Sequence, residues 1–241
     1  MPTTFTIGML ALVVIGSFVI SGYSYARQQA LKKRKQAVRK LQLTADEALN
    51  FQSLLLKIDP SYVLLIKLQT LAVDALSKAK EIIPDDSLVA HNLKVQQNRL
   101  KDYKDNRREN PITCWSVSDA ELAQGQAMLG QLNKLLDLFR NRGDLSVNQH
   151  QHLHQHLKKL QLDFTANSYL YQADHFAEQG NLASYQLYMK QAIQVIKKSD
   201  LNDEEKNKRI KTLTDRINEV KSTGKLNQLT NLVKPEAKEV E

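Results

Sequence analysis

Four of the six histidines alternate within one short stretch: His150, His152, His154 and His156 in the run HQHLHQH. On a helix, imidazoles at i and i+4 lie one turn apart on the same side, the spacing that chelates zinc, nickel or copper. At about 100° per residue the run forms two such pairs. His150 and His154 fall on one flank of a stripe through Leu153 and Leu157, His152 and His156 on the other. Two pairs facing nearly opposite ways cannot converge on one ion, and no Cys, Asp or Glu lies within the run to complete a shell. The histidines therefore read as the border of a buried stripe, apolar bodies inward and polar tips in water. The second candidate is Cys114 beside Trp115. A nucleophilic thiol needs a base and a lowered pKa, and no family signature supplies either. The pair reads instead as a tryptophan pinning a loop to a helical core, with a small thiol neighbour. His91 and His175 stand alone and read as packing or surface residues. No phosphate-cradling glycine loop, paired zinc-ligand motif, nucleophile elbow or HExxH occurs. The chain is read as non-enzymatic, with no cofactor or metal expected.

The elements that would carry these residues begin with a twenty-two-residue uncharged run, residues 5–26. At 1.5 Å per residue it spans about 30 Å, the hydrocarbon thickness of a bilayer. Arg27, Lys32, Lys33, Arg34, Lys35, Arg39 and Lys40 follow, with no acid before Asp46. Positive charge collects on the cytoplasmic side of a span. The expected topology is a single-pass anchor with the N-terminus outside and the rest cytoplasmic, a bacterial inner membrane being the expected home. A cleaved signal peptide would carry a basic region before its apolar core, which residues 1–6 lack, although Ser24-Tyr25-Ala26 loosely resembles a cleavage site. A buried core helix would show a polar stripe, and this run shows none.

The formal net charge of +8 comes from 34 Lys and Arg against 26 Asp and Glu, and seven of those cations sit in residues 27–40. Residues 41–241 are thus close to neutral, whereas a nonspecific nucleic-acid binder spreads cations along a contact face. The basic segment reads as a contact for anionic lipid headgroups, each cation contributing about 1 kcal/mol, and nucleic acid is the poorer fit. The single cysteine excludes an intramolecular disulfide and agrees with a reducing compartment. Ser17 and Ser21, four apart in the uncharged run, could let two anchors approach and so form a homo-oligomer.

With 8 glycines and 5 prolines in 241 residues, the composition favours helices. Residues 27–43 form a basic juxtamembrane segment continuing the anchor. Thr44-Ala45-Asp46-Glu47 has the spacing of a capping box and predicts a new helix to about Ile58, burying Leu49, Leu55 and Leu56 or their neighbours. Asp59-Pro60 predicts the next helix start, Asp59 as N-cap and Pro60 at the first helical position. Leu64, Leu68, Leu71 and Ala75 continue it to Ile83. After the turn at Pro84-Asp85-Asp86 a third helix carries Leu88, Leu93, Leu100 and Tyr103. Residues 44–105 thus form one helical region, and residues 106–117 the loop that bounds it. Ser118-Asp119-Ala120-Glu121 is a second capping box, leading into a seam of Leu122, Leu129, Leu132, Leu136 and Phe139. Gly143 ends that helix, and Ser146 with Gln149 opens another with the seam Leu153, Leu157, Leu160 and Phe164. Short connections predict antiparallel neighbours. A last helix carries Ile210, Leu213, Ile217 and Val220, and residues 223–241 form a polar tail expected to be mobile.

Residues 166–197 place an aromatic at Tyr169, a small residue at Ala173, a second aromatic at Phe176, Gly180 and a late small residue at Ala192, with Tyr188 and Ile196 at further packing positions. This stretch resembles one tetratricopeptide repeat, a 34-residue antiparallel helix pair. Tyr185 departs from the family pattern by standing where a small residue lets the helices close, and Lys197 by replacing a proline. The likeness covers about an eighth of the chain. It implies a protein-binding helical hairpin within residues 118–222. The expectation is an all-α protein, a transmembrane helix followed by antiparallel helical hairpins, acting as a membrane-anchored adaptor for a protein partner. The alternatives are a metal-responsive or thiol-dependent enzyme using the histidine run or Cys114, and a membrane-associated nucleic-acid binder.

Overall fold

The computed structural model describes residues 2–59, 61–105 and 118–223, with side chains described over 22–222 within those limits. Among these residues the helix-favouring composition yields eight α-helices and no strand: α1 (Pro2–Leu49), α2 (Gln52–Ile58), α3 (Val63–Ile82), α4 (Ser87–Asp105), α5 (Asp119–Arg142), α6 (Val147–Glu178), α7 (Leu182–Lys197) and α8 (Asp203–Thr223). Among the described residues no helix is long and apolar enough to cross a membrane. The uncharged run 5–26 falls, through Ser21, on residues whose side chains lie outside the description. The loop 106–117 and the tail from 224 on also lie outside it.

Most helix ends are set by single residues. Ser118 accepts the Glu121 amide at the start of α5. Ser146 and Gln149 form a complete reciprocal capping box at the start of α6. Asp86 accepts the Leu88 and Val89 amides ahead of the body of α4, and Asn202 accepts the Glu205 amide in α8. Gly143 and Gly180 take φ of +82° and +74°. At each, the next residue's amide reaches back across the helix end: Asp144 to Phe139 at 2.9 Å and Asn181 to Phe176 at 2.9 Å.

Three expectations need correction. Thr44 opens no helix: α1 runs on to Leu49, and the Thr44 hydroxyl donates to the Lys40 carbonyl at 3.1 Å. A hydroxyl inside a helix back-bonds one turn earlier instead of capping, so the boundary at 43/44 is absent. The break comes at Asn50 and Phe51, and α2 then buries Leu55 and Ile58 while Leu56 points outward. Asp59 does cap α3, yet that helix begins only at Val63, after Tyr62 adopts a left-handed φ of 55°. Leu88 belongs to no core, at 62% exposure in the first turn of α4.

The chain divides into two units. Met1–Glu47 and Leu71–Asn98 form one. In it Val38 of α1, Ala79 of α3 and Val89 of α4 are buried together, with Leu41, Ile82 and Ile83 packed against them. Ala48–Thr70 and Arg99–Glu241 form the other. Its seams on α5 and α6 are buried throughout, from Leu122 to Phe139 and from Leu153 to Phe164. Gly125 of α5 meets Phe164, while Asp137, further along α5, meets His150, earlier on α6. Residue numbers rise on one helix as they fall on the other, so the pair is antiparallel. The second half of α6 packs on α7, and α7 on α8, around Ala166, Leu170, Ala173, Tyr185, Met189 and Ala192.

At Gly125 of α5 the packing against α6 leaves no room for a side chain. A Cβ there would stand 2.5 Å from Phe164 Cζ and 2.6 Å from Cε1, inside contact distance of a buried ring. Alanine gains about 1 kcal/mol of helix propensity over glycine, whereas displacing a packed ring costs about 1–3 kcal/mol. Gly125→Ala should therefore lower stability by up to about 2 kcal/mol net. In a Phe164→Leu background the same change should become neutral or stabilising in urea melts. An equal penalty in both backgrounds would show that the ring is not the obstacle.

Candidate functional site

The densest polar constellation described centres on Asp59, between α2 and α3, whose side chain is wholly inaccessible to solvent. One carboxylate oxygen accepts the Leu64 amide at 3.1 Å. The other accepts the Ser61 amide at 3.2 Å and the Ser61 hydroxyl at 2.8 Å, and lies 3.1 Å from His156 Nε2. A buried carboxylate without partners is costly to keep ionised. Burial pushes the Asp59 carboxyl up, but hydrogen bonds from His156 and Ser61, the charge of His156 and the Leu64 amide together hold it below its ordinary value.

Serine, histidine and aspartate within hydrogen-bond reach invite comparison with a nucleophilic triad. In such a triad serine and carboxylate occupy opposite imidazole nitrogens, so a proton taken at one is stabilised across the ring. Here Ser61 Oγ, at 3.2 Å, and Asp59 face the same nitrogen, Nε2, and the serine proton is already given to the carboxylate. The arrangement clips the start of α3 to α6 and has no path for activating Ser61.

On the other flank of α6, His150 is buried with Nε2 2.8 Å from Asp137 of α5, and the His154 ring stacks on it at 5.8 Å. His152 is exposed. The flank assignment from the 100° arithmetic matches these positions, but the tips of His150 and His156 end on carboxylates and not in water. Among the described residues no three His, Cys, Asp or Glu side chains gather as a metal ion would require. Neither Asp59 nor Asp137 was legible as a histidine partner, because the contacts span 97 and 13 residues and no local spacing encodes them.

In the hairpin residues, Ala173, Ala192 and Ile196 are buried and Gly180 stands exposed in the turn. Tyr169, Tyr188 and Phe176 are half-buried and form a row, Tyr169 to Tyr188 at 6.1 Å and Tyr188 to Phe176 stacked at 5.3 Å. Phe176 thus lies along the α6–α7 seam and not fully between the helices. The Tyr188 hydroxyl donates to Asp119 of α5 at 3.1 Å. Tyr185, the bulky departure from the repeat pattern, is 0% exposed, and its hydroxyl reaches the Arg216 carbonyl of α8 at 3.5 Å. Space that a small residue would close is filled here by a phenol that ties α7 to α8. Two arginines bind α8 to α6: Arg209 donates to Asp163 at 2.9 Å, and Arg216 lies 2.8 Å from Asp174. Both numbers rise together, so α8 runs parallel to α6. Burial raises the Asp174 carboxyl despite the attraction of Arg216.

Of the remaining candidates, Arg27, Lys32, Lys33, Arg34, Lys35, Arg39 and Lys40 are all exposed on α1. Cys114 and Trp115 lie outside the described residues. No family model, no curated protein and no solved structure matches the chain.

The lowered Asp59 carboxyl fixes a sign for pH dependence. A group whose folded pKa lies below its unfolded value adds stability above that unfolded value, about 3.9 for aspartate. That increment disappears as pH falls through the folded value. Asp59→Asn should therefore cost stability at pH 7, on the order of 1.5–3 kcal/mol from the lost charge-assisted bonds. Its melting temperature should converge on that of the parent below about pH 4. A gap that stays constant from pH 7 to pH 3 would show that Asp59 is not ionised in the folded protein.

Proposed function

We propose that this chain is a membrane-tethered adaptor, held by residues 5–26 with its helical body on the cytoplasmic side, that binds a protein partner along the α6–α7 hairpin. The observation that carries the reading is the row of half-buried rings, Tyr169, Tyr188 and Phe176, on a hairpin that elsewhere exposes Tyr171, Leu182 and Leu187. Rigid aromatics at a helical seam supply large contact area at low entropic cost, the chemistry of interface hot spots. The tetratricopeptide likeness of residues 166–197 supports the same surface by analogy. Two histidines of the run are engaged by carboxylates in helix packing, which favours a structural role for them over an enzymatic one.

Crosslinking in intact membranes followed by purification tests the adaptor. Tyr171→Ser with Leu187→Ser should abolish partner capture while far-UV circular dichroism and melting stay unchanged. Ala192→Asp, which places an unpaired charge at a 0%-exposed site, should cost several kcal/mol and remove helix content and partner together. Capture that survives the double surface change would refute the exposed side of the hairpin as the binding site.

The topology has its own test. A reporter active only in the cytoplasm, fused after Glu241, should work, and an export-dependent reporter should not. A mature soluble chain beginning at Arg27 would replace the anchor with a cleaved leader.

A further inference from the structure

Residues 22–36 of α1 are exposed without exception, and the helix first enters a core at Val38, with Ala37 half-buried. From Ala26, the end of the uncharged run, to Val38 is about 18 Å of axial rise. Up to Gln36 every side chain over that distance is exposed, with no described residue packed against the helix. Taking Arg27 as zero and about 100° per residue, Lys35, Arg39 and Lys32 fall near 80–140°. Lys40 and Lys33 fall near 220–240°, and Arg34 near 340°. The cations encircle the helix.

A helix lying in the plane of a membrane needs an apolar face to sink and a polar face to leave in water. The apolar residues of this segment, Ala30, Leu31, Ala37 and Val38, share the arc between about 280° and 40°. Arg27 and Arg34, seven apart, stand in the middle of that arc. Charge therefore interrupts the one face on which the helix could lie. Immediately before the cations come Tyr23 and Tyr25, 72% and 65% exposed and on nearly opposite sides. Tyrosines at this level suit the boundary between hydrocarbon and headgroups.

We infer that residues 23–35 form an upright collar, aromatic below and cationic above, through which α1 passes along the membrane normal within an anionic headgroup layer. The inference rests on the anchor reading of the preceding subsection. It adds that the collar binds anionic lipid from all sides and that the helical core begins one stalk-length beyond the bilayer. A nucleic acid would meet at most the short stripe of Lys32, Lys35 and Arg39 here, since the other four cations point elsewhere around the helix.

Spin labels test this in the full chain with Cys114→Ser, reconstituted in vesicles containing phosphatidylglycerol. Labels at Gln28, Gln29, Ala30, Leu31 and Gln36 sample the circumference without removing a cation. Accessibility to a water-soluble relaxant should rise steadily from 28 to 36, because depth in an upright helix depends on axial position alone. An oscillation with a 3.6-residue period in a chain that floats with the vesicles would overturn the upright collar and leave the anchor standing. A chain that fails to float overturns both. Duplex DNA that binds the vesicle-borne chain saturably, despite excess phosphatidylglycerol, would assign the collar to nucleic acid and overturn the lipid reading.

Discussion

One helix with two successive neighbours constrains most of the second unit. Along its 32 residues α6 must bury one face against α5 and then another against α7. The sequence records the change of partner as a phase break. Leu153, Leu157, Leu160 and Phe164 recur at helical spacing, and Ala166, Leu170 and Ala173 continue at that spacing about half a turn around the axis. An apolar stripe that stops and restarts two residues later resembles the end of one helix and the start of another. Here the backbone continues unbroken and only the direction of burial changes.

Because α6 is shared, the polar contacts along it act as register pins. His150 meets Asp137 on α5, His156 meets Asp59 at the start of α3, Asp163 meets Arg209, and Asp174 meets Arg216 on α8. Leucine seams tolerate sliding, since one leucine fits much as another does. A buried carboxylate tolerates none, because a shift of one turn leaves it desolvated and unpartnered. Asp59 is the strictest case, since the same carboxylate caps α3, closes the turn at Ser61 and receives His156. The Tyr185 phenol does comparable work between α7 and α8, where bulk at a position reserved for small residues in tetratricopeptide repeats gives a third helix something to cover.

In the first unit the constraint is different. Among the described residues nothing packs on α1 between residues 22 and 36, and its core contact at Val38 depends on a small cluster with Ala79 and Val89. The concentrated positive charge of the chain thus lies on a stretch that no described residue covers. In the adaptor reading, the anchor and collar fix position at the membrane while the second unit supplies the binding surface.

Local chemistry explains what was legible without the structure. The all-α class, the caps at Ser118 and Ser146, the glycine turns at 143 and 180, and the leucine seams of α5 and α6 all follow from interactions within a few residues. Where the sequence misled, a tertiary or longer-range helical context prevailed. The Thr44 hydroxyl had both a capping pattern and a helix already passing through it, and propagation of an existing helix is easier than nucleation of a new one. The change of burial direction at Ala166 leaves the backbone of α6 unbroken, because periodicity reports which face is buried and not where a helix ends. The partners of His150, His156, Arg209 and Arg216 were invisible for a simpler reason. Composition and spacing determine which groups each helix offers, but only packing decides which of them meet. A carboxylate 97 residues from its histidine leaves no periodic trace.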